Sequence, residues 1–175
     1  MHAVVSLFDK NDHSVRSLSG ELEKILGRHV YSRMPKLHLS YQGATKYNFA
    51  KLENQLRRIA KRTRRFRVHA GGLGIFTGLT PIHYIPVVRT IELSRFQLSL
   101  WKRVSSTGSG LNPYYKPEAW VPHISLARGI SERTLTKAIR SLCRKEIELD
   151  LKIDNLTVIE FDGKAHTVRS RFRLS

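Results

Sequence analysis

"VPHISLARG" (Val121–Gly129) places a histidine and a serine two residues apart inside an otherwise apolar string. "KLHLSY" (Lys36–Tyr41) repeats the pattern 85 residues earlier. Successive side chains of a strand point to opposite faces, so residues i and i+2 share one face. His38 and Ser40 therefore project together, as do His123 and Ser125. Leu37, Leu39 and Tyr41 point the other way, as do Pro122, Ile124 and Leu126, and both sets suit a core. Each strand is expected to present one imidazole and one hydroxyl to a common space, anchored from behind.

The surrounding pattern is built in two similar halves. His2 to Phe8 reads as a buried strand, and Val15, Leu18, Leu22, Ile25 and Leu26 as a helical stripe. After the first His-x-Ser strand, Leu52, Leu56 and Ile59 mark a second helix with Arg57, Arg58, Lys61 and Arg62 around its other side. Phe66, Val68 and Ala70 mark a strand, and "GGLGIFTG" and "HYIPVVR" a further pair. A third helix carries Leu93, Phe96, Gln97, Leu100, Trp101 and Val104 on one stripe. "SSTGSGLNPYYKPE" reads as a loop. The second His-x-Ser strand follows, then a helix capped by Ser131. Two long extended stretches, joined at Asp162-Gly163, close the chain. This order predicts one bilobal α+β domain over residues 1–175. Two antiparallel sheets would be related by a pseudo-twofold, with helices outside and a central cleft.

Composition narrows the partner. Of 175 residues, 41% are hydrophobic, which is a globular composition. Lys plus Arg number 31 against 14 Asp plus Glu, a formal charge of +17, so nucleic acid is the expected ligand. No basic amphipathic helix with an aromatic apolar face stands out, so a membrane is not expected as partner. The single cysteine, Cys143, cannot form an intrachain disulfide and is expected to be a packed thiol. The N-terminus lacks the basic flank of a signal peptide, and no apolar run approaches the ~20 residues of a membrane span. A monomer in the cytoplasm, or in the nucleus of a eukaryote, is the expectation.

Two imidazoles and two hydroxyls converging on a cleft suit phosphodiester chemistry. Imidazole titrates near neutrality, so one ring can accept a proton while the other donates one. The hydroxyls can donate to non-bridging phosphate oxygens. No P-loop, zinc-spaced Cys/His cluster or carboxylate-rich metal site competes, so neither metal nor cofactor is expected.

"HLSY" and "PHISLAR" resemble the two His-x-Thr/Ser motifs of the two-histidine (2H) phosphoesterase superfamily, with serine where threonine is common. "GGLGIF" is similar to the strand that follows the first motif there. The nearest branch is the 2′-5′ RNA ligase-like one, which includes RNA 2′,3′-cyclic phosphodiesterases. The resemblance implies a bilobal, metal-independent enzyme with His38 and His123 catalytic and Ser40 and Ser125 on the phosphate. It also favours Arg128, at the end of its strand, as a phosphate contact. Tyr41, Tyr115 and Trp120 are the aromatic candidates for stacking a base, with core packing the competing reading for Tyr41. The expected reaction is hydrolysis of a 2′,3′-cyclic phosphate. Cleavage of 2′-5′ oligoadenylates or cyclic oligonucleotides, trimming of RNA 3′ ends, and RNA binding without catalysis are the alternatives.

Overall fold

A computed structural model describes residues 1–8, 12–31, 36–128, 130–161 and 166–175, with the side chain of Arg128 excepted. The junction expected at Asp162-Gly163 lies outside the described residues.

The helices form where apolar spacing and caps coincide. Asp12 caps α1 (His13–Leu26), its carboxylate accepting from the Ser14 and Val15 amides, and the expected stripe from Val15 to Leu26 is buried. Gly27, at φ 81°, ends it. A short α2 (Arg28–Tyr31), unmarked in the sequence, follows. Asn48 caps α3 (Phe49–Arg62), Thr90 caps α4 (Ile91–Val104) and Ser131 caps α5 (Glu132–Leu142), the last as expected. Cys143 sits just past α5 and is exposed rather than packed. None of the described helices is long and apolar enough to cross a membrane.

The strands are β1 (His2–Leu7), β2 (His38–Tyr47), β3 (Phe66–Gly71), β4 (Gly74–Phe76), β5 (Ile82–Pro86), β6 (Gly108–Leu111), β7 (His123–Arg128), β8 (Glu148–Ile153), β9 (Asn155–Phe161) and β10 (His166–Arg173). Every strand pairing among the described residues is antiparallel. Among the described residues two sheets are present as expected, but they have eight and two strands, so the expected twofold does not relate one sheet to the other. One runs β10-β9-β1-β2-β7-β5-β4, with β6 also on β2; the other is β3-β8. Part of the expected loop therefore forms a strand, β6. The first closing stretch divides at Asp154 between the two sheets.

Both His-x-Ser strands belong to the larger sheet and touch at one pair, Leu39 opposite Ile124. An antiparallel pair carries a local twofold between its members. Here that axis interchanges His38 with His123 and Ser40 with Ser125, and it explains the repeated motif. Leu39 and Ile124 are fully buried on the core face. The four polar side chains take the other face.

Candidate active site

His38 and His123 are held in the same way. Each Nδ1 lies 2.7 Å from the backbone carbonyl two residues earlier, that of Lys36 or Val121. A carbonyl oxygen only accepts, so each Nδ1 must carry the hydrogen. The bond fixes the tautomer and leaves Nε2 as the nitrogen free to exchange a proton. His38, Ser40, His123 and Ser125 all line one cleft of about 1030 Å³. Neither serine hydroxyl has a hydrogen-bond partner among the described residues, so both can donate to a ligand.

Different neighbours surround the two rings. On β1, Leu7 stands opposite His38 and Val5 opposite Ser40. With Ile159 they form a small apolar cluster apart from the main core. Buried Asn155 clamps this edge: its Oδ1 accepts from the Leu7 amide at 3.1 Å and its Nδ2 donates to the Leu7 carbonyl at 2.8 Å. His123 instead meets aromatic rings. Phe76 and Tyr84 stack at 4.1 Å, and each meets His123 edge-on at 4.9 and 5.3 Å between centroids. A Cβ at Gly74 would collide with the Tyr84 ring, so this strand needs glycine there.

Burial lowers both imidazole pKa values by penalising the charged form. His38 falls from 6.5 to about 4; burial is the main cause, the Lys36 carbonyl opposes it, and the charges of His166 and His123 add to it. His123 is lowered by burial against the opposing pull of the Val121 carbonyl. Burial also lowers His83, which is 1% exposed with both ring nitrogens unpartnered. Histidines lowered in the folded state take up protons on unfolding. Stability is therefore full above about pH 6.5 and falls as the pH drops through the window between the unfolded and folded values. His38 alone should cost roughly 2–3 kcal/mol by pH 4.5. Urea midpoints at pH 7.5 and 4.5 will show this, and His38→Ala should reduce the difference, leaving the share of His123 and His83. An unchanged acid sensitivity in that variant would refute the assignment.

The remaining expected residues divide by location. Tyr115 lines the cleft, half-buried, over the backbone at Gly43. Tyr41 does not reach it: strand alternation turns its ring into the core, fully buried, with its hydroxyl 2.8 Å from the Ser6 hydroxyl. Trp120 is also a core residue, 1% exposed, and its Nε1 donates to the Ser40 carbonyl at 3.0 Å. Neither offers a face to a base; Trp120 instead braces the strand that carries Ser40. Arg128 pairs through its backbone with Ile82, and its side chain lies outside the described residues. His2, His29 and His166 line the cleft as well, His166 stacked at 4.5 Å on Phe161. They come from separate elements, so no local motif marks them. Among the described residues, no group of three His, Cys, Asp or Glu side chains could hold a metal ion.

Comparison with known proteins gives a consistent picture. A family model described as the 2′-5′ RNA ligase superfamily matches residues 10–165. A "Putative phosphoesterase" of Bacillus cereus (strain B4264) is 27% identical over 122 residues, which span 69% of this chain and 67% of that protein. Another of the same name from Bacillus thuringiensis (strain Al Hakam) is 26% identical over the same shares. Among solved structures, TT0787 of Thermus thermophilus matches with a TM-score of 0.64 at 16% identity, covering 99% of this chain and 97% of that one. E. coli LigT complexed with 3′-AMP matches with a TM-score of 0.56 at 16% identity, over the same shares. The two structural matches establish a shared fold.

Proposed function

The chain belongs to the 2′-5′ RNA ligase superfamily, and from that premise we propose that it is a phosphodiesterase that hydrolyses 2′,3′-cyclic phosphates at RNA ends. One observation carries the reading: two imidazoles, each fixed by an Nδ1–carbonyl bond, offer Nε2 to one cleft. In this reading His38, kept neutral by burial, is the general base. Its Nε2 takes a proton from water as the water oxygen attacks phosphorus. The bond from phosphorus to one ribose oxygen breaks, and protonated His123 supplies the proton to that oxygen. The product is a phosphomonoester, and solvent returns both rings to their starting states. Ser40 and Ser125 donate to the non-bridging oxygens as charge builds there. Both imidazoles come from one chain, so a monomer suffices. The complex of LigT with 3′-AMP supports a nucleoside monophosphate as a ligand of this fold.

The test is a substrate panel assayed with EDTA present, followed by product identification. Opening of a 2′,3′-cyclic phosphate is the expected result. Loss of activity on chelation, restored by a divalent ion, would overturn the metal-independent route. Turnover only of 2′-5′ oligoadenylate, only of RNA 3′ ends, or of nothing bound would assign the alternative readings. Ser40→Ala and Ser125→Ala should each lower kcat by about 10²–10³, the typical loss of one oxyanion donor. An unchanged kcat in both would remove the hydroxyls from the phosphate.

A further inference from the structure

The cleft explains recognition of one phosphate but not the charge of +17. Among the described residues, the β10 arginines Arg169 and Arg171 are taken up by Glu53, Glu160 and Asp154, and of the exposed basic surfaces on α3 and α5 only the second adjoins the cleft. On α3, Arg58, Lys61 and Arg62 are exposed, but the helix packs against β9, β10 and α4, and none of its residues lines the cleft. On α5, Arg133, Lys137 and Arg140 recur at helical spacing, and Arg144 follows in the next turn. All four line a surface groove with Glu132, Thr136, Ser141 and Lys145. Lys145 is engaged by Glu21. The other four basic groups have no carboxylate partner among the described residues. The N-terminal end of α5 adjoins the cleft, because Ser131 and Thr134 line it, and the basic row runs from there along a neighbouring face of the same helix.

The geometry points to the α5 groove as a track for the RNA strand that leads into the cleft, so that the substrate is an oligonucleotide end rather than a free nucleotide. This rests on the reading that the cleft takes an RNA end. From Arg133 to Arg140 the helix advances about 10 Å, at 1.5 Å per residue. That is the length of roughly three stacked nucleotides of one strand. Arg144, just past the end of the helix, continues the row. Positive side chains along a phosphate backbone position it without reading bases, so the track should be indifferent to sequence.

The experiment compares two triple variants that lose the same charge. R133Q/K137Q/R140Q removes the α5 row; R58Q/K61Q/R62Q removes the α3 surface. Binding of a 3′-phosphorylated dodecaribonucleotide, which cannot react, is measured against salt. Turnover is measured on a nucleoside 2′,3′-cyclic phosphate. The α5 variant should bind on the order of 10²-fold more weakly at 0.1 M salt, with its log–log salt slope shallower by about 2. Its kcat/KM on the cyclic nucleotide should match the parent, which also shows that it is folded. The α3 variant should bind close to the parent. Equal losses in the two variants, or none in the α5 variant, would overturn the track. So would loss of binding to phosphatidylserine vesicles by the α5 variant with RNA binding intact, which would assign the groove to a membrane. A parent inactive on the cyclic nucleotide would sink the proposed reaction, while the binding comparison would still decide the track.

Discussion

His38→Ala and His123→Ala should each abolish most turnover of a 2′,3′-cyclic phosphate, by ~10²–10⁴ in kcat. The two rings act as a unit, one taking a proton while the other gives one. Their losses should therefore not add, and the double variant should be little slower than either single one. The stability costs should differ. His38 faces the Val5–Leu7–Ile159 cluster, and its removal relieves the acid-linked penalty. His123 meets Phe76 and Tyr84 edge-on, so its loss should cost about 0.5–1.5 kcal/mol for each aromatic contact. Steady-state kinetics beside urea unfolding will separate the two effects. Wild-type turnover in either single variant, on every substrate the parent cleaves, would refute the paired mechanism.

Trp120→Ala should destabilise the protein far more than either histidine substitution. It removes a fully buried indole, at about 3–5 kcal/mol. It also leaves the Ser40 carbonyl without its donor, for about 1–3 kcal/mol more. Native domains are stable by only about 5–15 kcal/mol, so much of the protein would be unfolded at ordinary temperature. Trp120→Phe keeps the ring against Tyr41 but not the hydrogen bond. It should fold, lose about 1–3 kcal/mol for the same unpaired carbonyl, and slow turnover because Ser40 is less firmly held. A Trp120→Ala protein with the parent's urea midpoint would show that the indole is not the brace described above.

The motif strands were legible because the code they use is local. Alternation put Leu37, Leu39 and Tyr41 on one face and His38 and Ser40 on the other, and the structure keeps that division. The cap at Ser131 and the stripe on α1 are local in the same sense. Alternation does not say what an aromatic on the core face will do. Tyr41 and Trp120 look the same in sequence whether they stack a base or fill a core. Pairing between distant segments is equally silent. Nothing near Gly108 marks it as partner to Tyr47, and nothing near Asp154 shows that its flanking strands enter different sheets. Gly74 falls in a recognisable glycine-rich run, but its purpose depends on Tyr84, its partner across the β4–β5 pair. The three further cleft histidines belong to separate elements and became visible only when those elements were assembled.

The dependence of kcat/KM on pH, measured with a nucleoside 2′,3′-cyclic phosphate, tests the paired imidazoles most directly. That ratio reports the free enzyme, where His38 must be neutral and His123 protonated. The low-pH limb should follow His38, near pH 4, and the high-pH limb His123, below its ordinary 6.5. The account predicts a bell with its maximum between those limits. The kcat profile should be displaced to higher pH, because a bound phosphate anion favours both charged rings. A kcat/KM that is flat or still rising from pH 5 to pH 9 would contradict it.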